Sequence, residues 1–511
     1  MKIFYTILFI TNLSFINYSQ NNIKNDLKQA DNAFEKADFL SAYKIYSKLL
    51  ERTPNNEELN FKAGSCLFNI NKMDTGSLKY FELSKPKVAE SHFYLGKIYL
   101  FSGQCRRALE EFYFFKANNT EEMFENTEVN TWIKMSESAI IEEGKKNNFI
   151  IKNLGSNVNS QYADYVPLIW NTNGSLIFTS RRPDSKGGLT DPYGRYFEDI
   201  YISAKETSGW NKPVSISDEI NTQTHDACVA ISSSGNELMI YRTDEKQTGG
   251  DFYICKHDGI KWGAPQKMGP EINSEYLEAS ACFSPQGDEI IFSSNRPGGY
   301  GGKDLYKIRK FMDGTYSLPR NLGPEINTIM DEDAPFIDND NILYFSSRGH
   351  NSIGEYDIFK TEYNPETNRW EKTQNMGMPI NSTNDDIYFI KTADQQNALF
   401  TSRREGGYGD ADIYQTNFNE TTQLITYCKF TSDVPKSELK DLQLLVYDVE
   451  SGKLEGKYRL NKNYMSMVLV TTYNKMYKII IECEGIEPIV KNIVFTPDNK
   501  EMNFELFKST K

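Results

Sequence analysis

Glu278-Ala-Ser-Ala-Cys-Phe-Ser-Pro-Gln-Gly-Asp-Glu-Ile-Ile-Phe-Ser-Ser-Asn-Arg-Pro-Gly-Gly-Tyr-Gly-Gly-Lys-Asp-Leu-Tyr306 holds an apolar run, a Pro-Gln-Gly turn, a second apolar run, a glycine-rich connection and the start of a third run. Short runs punctuated by Gly, Pro and Asn read as strand, turn, strand, loop, strand. The same grammar recurs on either side. Aligned on one Asp, the units are Asp199-Ile-Tyr, Asp251-Phe-Tyr, Asp304-Leu-Tyr, Asp357-Ile-Phe and Asp412-Ile-Tyr, at intervals of 52, 53, 53 and 55 residues. A second register, at the end of the preceding strand, holds Arg181, Arg242, Arg296, Arg348 and Arg403. A third is Glu219-Ile-Asn221, Glu271-Ile-Asn273, Glu325-Ile-Asn327 and Pro379-Ile-Asn381, with Trp210, Trp262, Tyr316 and Trp370 each 11 residues before the Asn.

A period near fifty residues with about four strands per unit predicts a five-bladed β-propeller over residues 147–420. The fifth unit has no aromatic-plus-Asn segment after it. Asn148-Phe-Ile-Ile-Lys-Asn-Leu-Gly155, leading to Asn159, matches Ser317-Leu-Pro-Arg-Asn-Leu-Gly323 leading to Asn327. The N-terminal strand is therefore expected to complete the last blade and remove an open edge. The Ser284-Pro-x-Gly287 turn, Ile291-Phe-Ser-Ser-Asn-Arg-Pro-Gly-Gly299 and Asp304-Leu-Tyr306 resemble the PD40 type of WD40-like repeat in TolB-like envelope propellers. The first unit departs from it by a long insert, Asp184 to Phe197. It is expected to protrude from one rim, with Asp184, Tyr193, Arg195 and Phe197 as candidate interaction residues.

Residues 21–146 carry a helical period instead. Ala30, Gly64 and Gly96 mark equivalent tight positions in three helix pairs, and Tyr46, Phe81, Tyr99, Ala108, Phe112 and Phe115 supply the filling. Leu95-Gly96-x-x-Tyr99 with Ala108 and Phe112 resembles tetratricopeptide repeats, which implies an α-solenoid. A last helix around Trp132 to Glu143 would cap it. Residues 421–511 alternate around Ile425, Leu444 to Tyr447, Met467 to Val470, Tyr477 to Ile481, Ile493 to Phe495 and Phe504 to Phe507. That pattern predicts a small β-sandwich, similar to carboxypeptidase-regulatory-like domains. The fold class is thus multidomain α+β.

Lys2 followed by an apolar stretch to Ile16 reads as a secretory signal over residues 1–20. No later run is long enough for a membrane span. A net charge of −13 without a basic cluster argues against nucleic acid as partner. Seven cysteines without CxxC spacing remove the usual zinc reading, and a Cys428–Cys483 bridge is weighed against buried reduced thiols.

A residue needed in every unit serves the unit, so the repeated Arg and Asp are read as structural, and no catalytic, cofactor or metal residues are assigned. Glu278, Asp331, Glu332, Asp333, Asp385 and Asp386 fall at the starts of inner strands, where a propeller glycosidase would keep its carboxylates or a calcium ion its ligands. The order of signal, helical repeats, PD40-like propeller and sandwich resembles the PorE-type envelope proteins of Bacteroidetes associated with type IX secretion. Those usually end in an OmpA-like peptidoglycan-binding domain, which we do not expect within this sequence. The resemblance implies a non-enzymatic periplasmic scaffold with protein partners at the outer membrane, in secretion or gliding machinery. The alternatives are a propeller glycosidase and a sensor of cell-wall fragments.

Overall fold

The computed structural model describes residues 23–71, 75–119, 126–145, 149–191, 193–207, 209–244, 249–393, 396–417, 423–460, 464–472, 475–496, 499 and 501–509. The signal segment lies outside them, as does Asn148. The chain forms two compact units, one ending at Thr416 and the other taking in Asn417–Lys511.

The first unit begins with seven helices: α1 (23–35), α2 (Phe39–Leu50), α3 (Glu57–Ile70), α4 (Leu78–Ser84), α5 (Glu90–Phe101), α6 (Cys105–Asn118) and α7 (Asn126–Glu143). Short polar residues set their starts. The Asp38 carboxylate accepts the Ser41 N–H at 3.1 Å, and the Asn56 side chain accepts the Leu59 N–H at 2.9 Å. Consecutive helices pack as antiparallel pairs, and Gly96 shows why one crossing is so close. A Cβ there would stand 2.6 Å from the Phe112 ring. Phe81, Phe93, Phe112, Phe115 and Trp132 fill the space between pairs in one buried cluster.

Among the described residues, the remainder of this unit is five antiparallel sheets of at least four strands and a two-stranded ribbon, Lys205–Glu206 with Gly209–Trp210. The first is Asp164–Trp170, Ser175–Ser180, Asp199–Ser203 and Val214–Ser215; the second is Asp226–Ile231, Glu237–Thr243, Gly250–Lys256 and Gln266–Lys267. The third is Glu278–Phe283, Glu289–Ser294, Asp304–Arg309 and Arg320–Asn321. The fourth is Glu332–Ile337, Ile342–Ser347, Asp357–Asn364 and Gln374–Asn375, with Arg369–Trp370 added. The fifth is Asp386–Lys391, Asn397–Ser402, Asp412–Asn417 and the N-terminal Ile151–Asn153. The first strand of each sheet contacts that of the next, and that of the fifth contacts that of the first. This is a propeller-like β domain around a central axis.

One device repeats five times. The amides of Asn159, Asn221, Asn273, Asn327 and Asn381 accept from the backbone N–H of Ile413, Ile200, Phe252, Leu305 and Ile358 at 2.7–2.9 Å and donate to the same residues' carbonyls at 2.9–3.0 Å. Each side chain thus imitates a strand partner where the third strand of the sheet has none. The repeated Asp serves the adjoining loop. Asp304, Asp357 and Asp412 each accept two loop N–H groups and an Asn amide (Asn321, Asn375, Asn153), whereas Asp199 accepts the Lys186 N–H and Asp251 pairs with Lys267. The aromatics of the third register close short outer ribbons, as in the Tyr363–Trp370 pairing.

The helices are part of the same unit, and they meet the sheets on the rim where the first strands begin. Ile353 is buried in the helical core, the Asn384 amide donates to the Phe101 carbonyl at 2.9 Å, and the Phe39 ring of α2 lies tilted against Tyr193 at 6.0 Å.

The second unit has a three-stranded sheet (Ser466–Thr472, Gln423–Ser432, Glu501–Leu506) and a four-stranded one (Leu454–Arg459, Gln443–Asp448, Met476–Glu482, Ile489–Val494). Alternate residues, among them Phe430, Leu444, Tyr477, Ile479 and Phe504, share one core. Leu454–Arg459 is an edge strand with no buried residue; Tyr458 packs partly against the core. No disulfide joins the cysteines: Cys428 is buried and Cys483 donates from Sγ to the Lys440 carbonyl. Burial pushes the Cys66, Cys105, Cys228, Cys255 and Cys282 thiols up to about 12, which makes them inert. Among the described residues no helix is long and apolar enough to cross a membrane.

Candidate functional site

Each sheet begins on a buried acid: Asp164, Asp226, Glu278, Glu332 or Asp386. Four residues upstream, Ser160, Thr222, Ser274, Thr328 and Ser382 each donate a backbone N–H and a hydroxyl to it. In four sheets a guanidinium completes the arrangement. Arg182, Arg242, Arg296 and Arg404 lie 3.0, 2.6, 3.0 and 2.7 Å from Asp164, Asp226, Glu278 and Asp386. They also donate to the carbonyls of Val158, Ile220, Ile272 and Ile380. A buried carboxylate is tolerated because a charge and fixed donors replace its water.

The five arginines read as one repeat therefore divide. Arg242 and Arg296 hold the buried acid that opens their sheet; Arg181, Arg348 and Arg403 do not. Arg181 and Arg403 stand one residue before Arg182 and Arg404, and successive residues of an extended chain point opposite ways. The fourth sheet has no arginine on Glu332. There His350 Nε2 takes the Ile326 carbonyl at 2.9 Å, and burial pushes the Glu332 carboxyl up to about 7. The acids divide likewise. Glu278, Glu332 and Asp386 belong to the sheet frame, while Asp331, Asp333 and Asp385 sit one residue before or after the frame acid.

This second set forms paired charges around the axis. Arg181 lies 2.5 Å from Glu198 and 3.6 Å from Asp191; Arg403 lies 2.9 Å from Asp410 and 3.5 Å from Asp385; Arg348 lies 3.4 Å from Glu355 and 3.7 Å from Asp331. Asp333 is held by Lys303 and the Ser280 hydroxyl. Burial acts to raise the Glu198 carboxyl, but His225 at 2.9 Å and Arg181 outweigh it and bring it down to about 2. The Tyr165 hydroxyl also donates to Glu198.

The arrangement is asymmetric. Sheets one, four and five carry the axial arginines; the corresponding residues of sheets two and three are Thr243 and Asn295. The same three sheets contain Val166, Ala334 and Tyr388 at φ of 52°, 49° and 58°, where the first two strands shift register. Left-handed backbone at non-glycine residues costs about 1–3 kcal/mol each and gathers where side chains must be aimed. Between them opens a cavity of about 280 Å³ lined by Tyr165, Arg181, Arg195, Asp385, Tyr388 and Arg403 among others. At the far ends of the same strands a second cavity, about 250 Å³, is lined by residues of all five first strands and includes the Lys391–Asp338 pair at 2.7 Å.

The Asp184–Phe197 insert does not protrude freely as the sequence suggested. Asp184 accepts the Tyr201 hydroxyl at 2.9 Å, and Phe197 is buried against the His225 ring at 4.2 Å. Arg195 is held by Asp191 at 2.9 Å and faces the cavity, while Tyr193 meets α2. The insert thus lies between cavity and helices. Sequence reasoning missed Tyr165, Arg182, Glu198, Lys303, Tyr388, Thr401 and Arg404. The Arg-Arg doublets at 181–182 and 403–404 were the available signal that two roles share one strand end. Among the described residues no group of three or more His, Cys, Asp or Glu is gathered as a metal site.

No family model matches the chain, and no curated protein does. Solved structures similar in fold include a putative TolB from Agrobacterium tumefaciens, 15% identical over 64% of this chain and 97% of that one, with a TM-score of 0.31. Also similar is an α-L-arabinofuranosidase from Lactobacillus brevis, 14% identical over 51% of this chain and 91% of that one, at 0.34. A sucrose-6-phosphate hydrolase from Lactobacillus gasseri is 10% identical over 69% of this chain and 88% of that one, at 0.35. Likeness at this level assigns no activity.

Proposed function

We propose that this chain is a non-enzymatic scaffold of the PorE type: a tetratricopeptide-like solenoid, a five-bladed propeller closed by its N-terminal strand, and a C-terminal sandwich. It acts in the periplasm on protein partners at the outer membrane, in secretion or gliding machinery. The observation that supports the non-enzymatic reading is that axial carboxylates are taken up by cations: Glu198 by Arg181, Asp333 by Lys303 and Asp410 by Arg403. A glycosidase needs two carboxyls free to reach the scissile bond, one as general acid and one that stays ionised. The helices, seated on the rim through Asn384 and Ile353, supply a surface for partners that is continuous with the propeller. Affinity purification from envelope fractions tests the reading. Recovery of an outer-membrane β-barrel or secretion component supports it, and recovery of the chain alone, monomeric and evenly soluble, refutes it. Hydrolysis of a glycan panel, abolished by Asp333→Asn, would establish the glycosidase instead.

A further inference from the structure

Residues 149–417 hold eleven arginines, and nine of them lie within 3.4 Å of a carboxylate. The two whose guanidinium groups bond no acid among the described residues, Arg320 and Arg369, are exposed and line the same groove. It runs between the third and fourth sheets at their outer strands, and its volume of about 430 Å³ is within the range of ligand sites. The groove between the first and second sheets shows what closes such a place. There Lys261 stands directly before Trp262, as Arg369 stands before Trp370, and pairs with Glu219 at 3.3 Å. Glu325 is the counterpart of Glu219, and it lines the open groove with no ion pair to Arg369. In a chain with a surplus of 13 negative charges, two arginines left open in one groove point to an anion supplied from outside.

The rest of the lining narrows the chemistry. Lys307 also lines the groove and is answered by Glu289 at 3.1 Å, which leaves the two guanidinium groups as the open charge. Each offers a planar fork of donors that matches a carboxylate. Tyr363, 37% exposed, and the half-buried Trp370 meet edge to face at 5.3 Å and add aromatic surface beside the charges. Arg320–Asn321 is the outermost strand of the third sheet, and an open strand edge accepts an extended chain. The Thr373 hydroxyl donates to the Glu325 carbonyl at 2.6 Å and ties the fourth sheet to the third beside the groove. Carboxylates, apolar side chains and extended backbone come together in an acidic peptide. A polyuronate or a polyphosphate brings the charge without the side chains or the backbone.

We propose that this groove binds an acidic segment of a partner protein, with Arg320 and Arg369 each taking a carboxylate and an apolar side chain of the segment resting on Tyr363 and Trp370. The inference rests on the partner-scaffold reading and gives the partner a chemistry. The test is fluorescence anisotropy on the full chain with labelled, end-capped peptides in which Asp or Glu flank one Phe or Leu. The same peptides with Lys for the acids are the controls, and polygalacturonate and inorganic polyphosphate are the competing polyanions. Saturable binding of the acidic peptides is expected, absent for the Lys peptides and weakened about tenfold by Arg320→Gln or Arg369→Gln. Arg459→Gln, which removes the same charge from the second unit, should leave it unchanged. Neither groove guanidinium has a partner among the described residues, so both groove variants should melt with the parent chain. No saturable binding by any acidic peptide up to about 1 mM, binding untouched by both groove substitutions, an equal loss in Arg459→Gln, or tighter capture of either polyanion would each overturn the proposal. Envelope affinity purification separates the two readings. A partner recovered undiminished by the Arg320→Gln, Arg369→Gln double variant overturns the groove and leaves the scaffold standing, whereas a partner lost in the double variant alone supports both.

Discussion

Replacing Glu332 by Gln should change how the stability of the β domain depends on pH. Glu332 is the one frame acid without an arginine among its polar contacts; it accepts from the Thr328 N–H, the Thr328 hydroxyl and the Ser347 hydroxyl, each at 2.7 Å. Burial raises its carboxyl from an ordinary 4.5 to about 7. A raised carboxyl favours the folded state while protonated. Its contribution is complete below pH 4.5 and is lost as pH rises through 7. At about 1.4 kcal/mol for each tenfold in proton affinity, that loss amounts to about 3 kcal/mol. Gln keeps the shape and has no charge to bury, but it gives up an acceptor, at a cost of about 1 kcal/mol. The variant should therefore be about 1 kcal/mol less stable at pH 4.5 and about 2 kcal/mol more stable at pH 8. Asp199, which burial also raises to about 7, is common to both proteins and cancels. Guanidinium unfolding followed by tryptophan fluorescence at the two pH values measures the difference. An offset of one sign and size at both would refute the reasoning.

Asn327→Ala should cost about 3 kcal/mol, because it strands the N–H and carbonyl of Leu305 in the interior, and denaturant midpoints will show it. Gly96→Ala should destabilise the helices by about 1–3 kcal/mol through the Phe112 ring, whereas Gly64→Ala, whose Cβ meets Phe81 at 3.1 Å, should come out near neutral; thermal scans of the pair test the contrast. Cutting the joint with Phe39→Ala and Asn384→Ala should speed limited proteolysis between helices and sheets without changing either part's circular dichroism. Unchanged cleavage would mean that other contacts hold the rim.

The repeat was legible because the sheet frame needs the same chemistry five times. The turn Asp, the Asn that replaces a strand partner and the aromatic of the outer ribbon each answer a local demand. Roles that differ by one residue on one strand were not legible. Arg181 and Arg182 look alike in a row of letters, yet one faces the axis and the other a buried acid, and only the register of Ser180 against Asp199 separates them. In the second sheet Arg242 reaches its acid from the position that Ser180 holds in the first, so simple alignment merged two groups of arginines. The insert was misjudged because its length was visible and its anchors, Phe197 under His225 and Tyr193 on α2, were not. The edge strand Leu454–Arg459 holds only two large apolar residues, Leu454 and Tyr458, too few to mark it against the flanking polar residues.

The pairing of Ile151–Asn153 with Asp412–Asn417 has a consequence for how the protein is made. Asn153 donates to Asp412 across 259 residues of chain. The clasp cannot form while the chain is still growing towards residue 412. At about 5–20 residues per second, Asn153 waits roughly 13–50 s for its partner to be synthesised. During that interval the first sheet stands beside an unfilled place, with its inner edge open to other strands. The helices are complete before the wait begins. Nascent chain thus passes through a stage in which a finished arm precedes an unclosed ring.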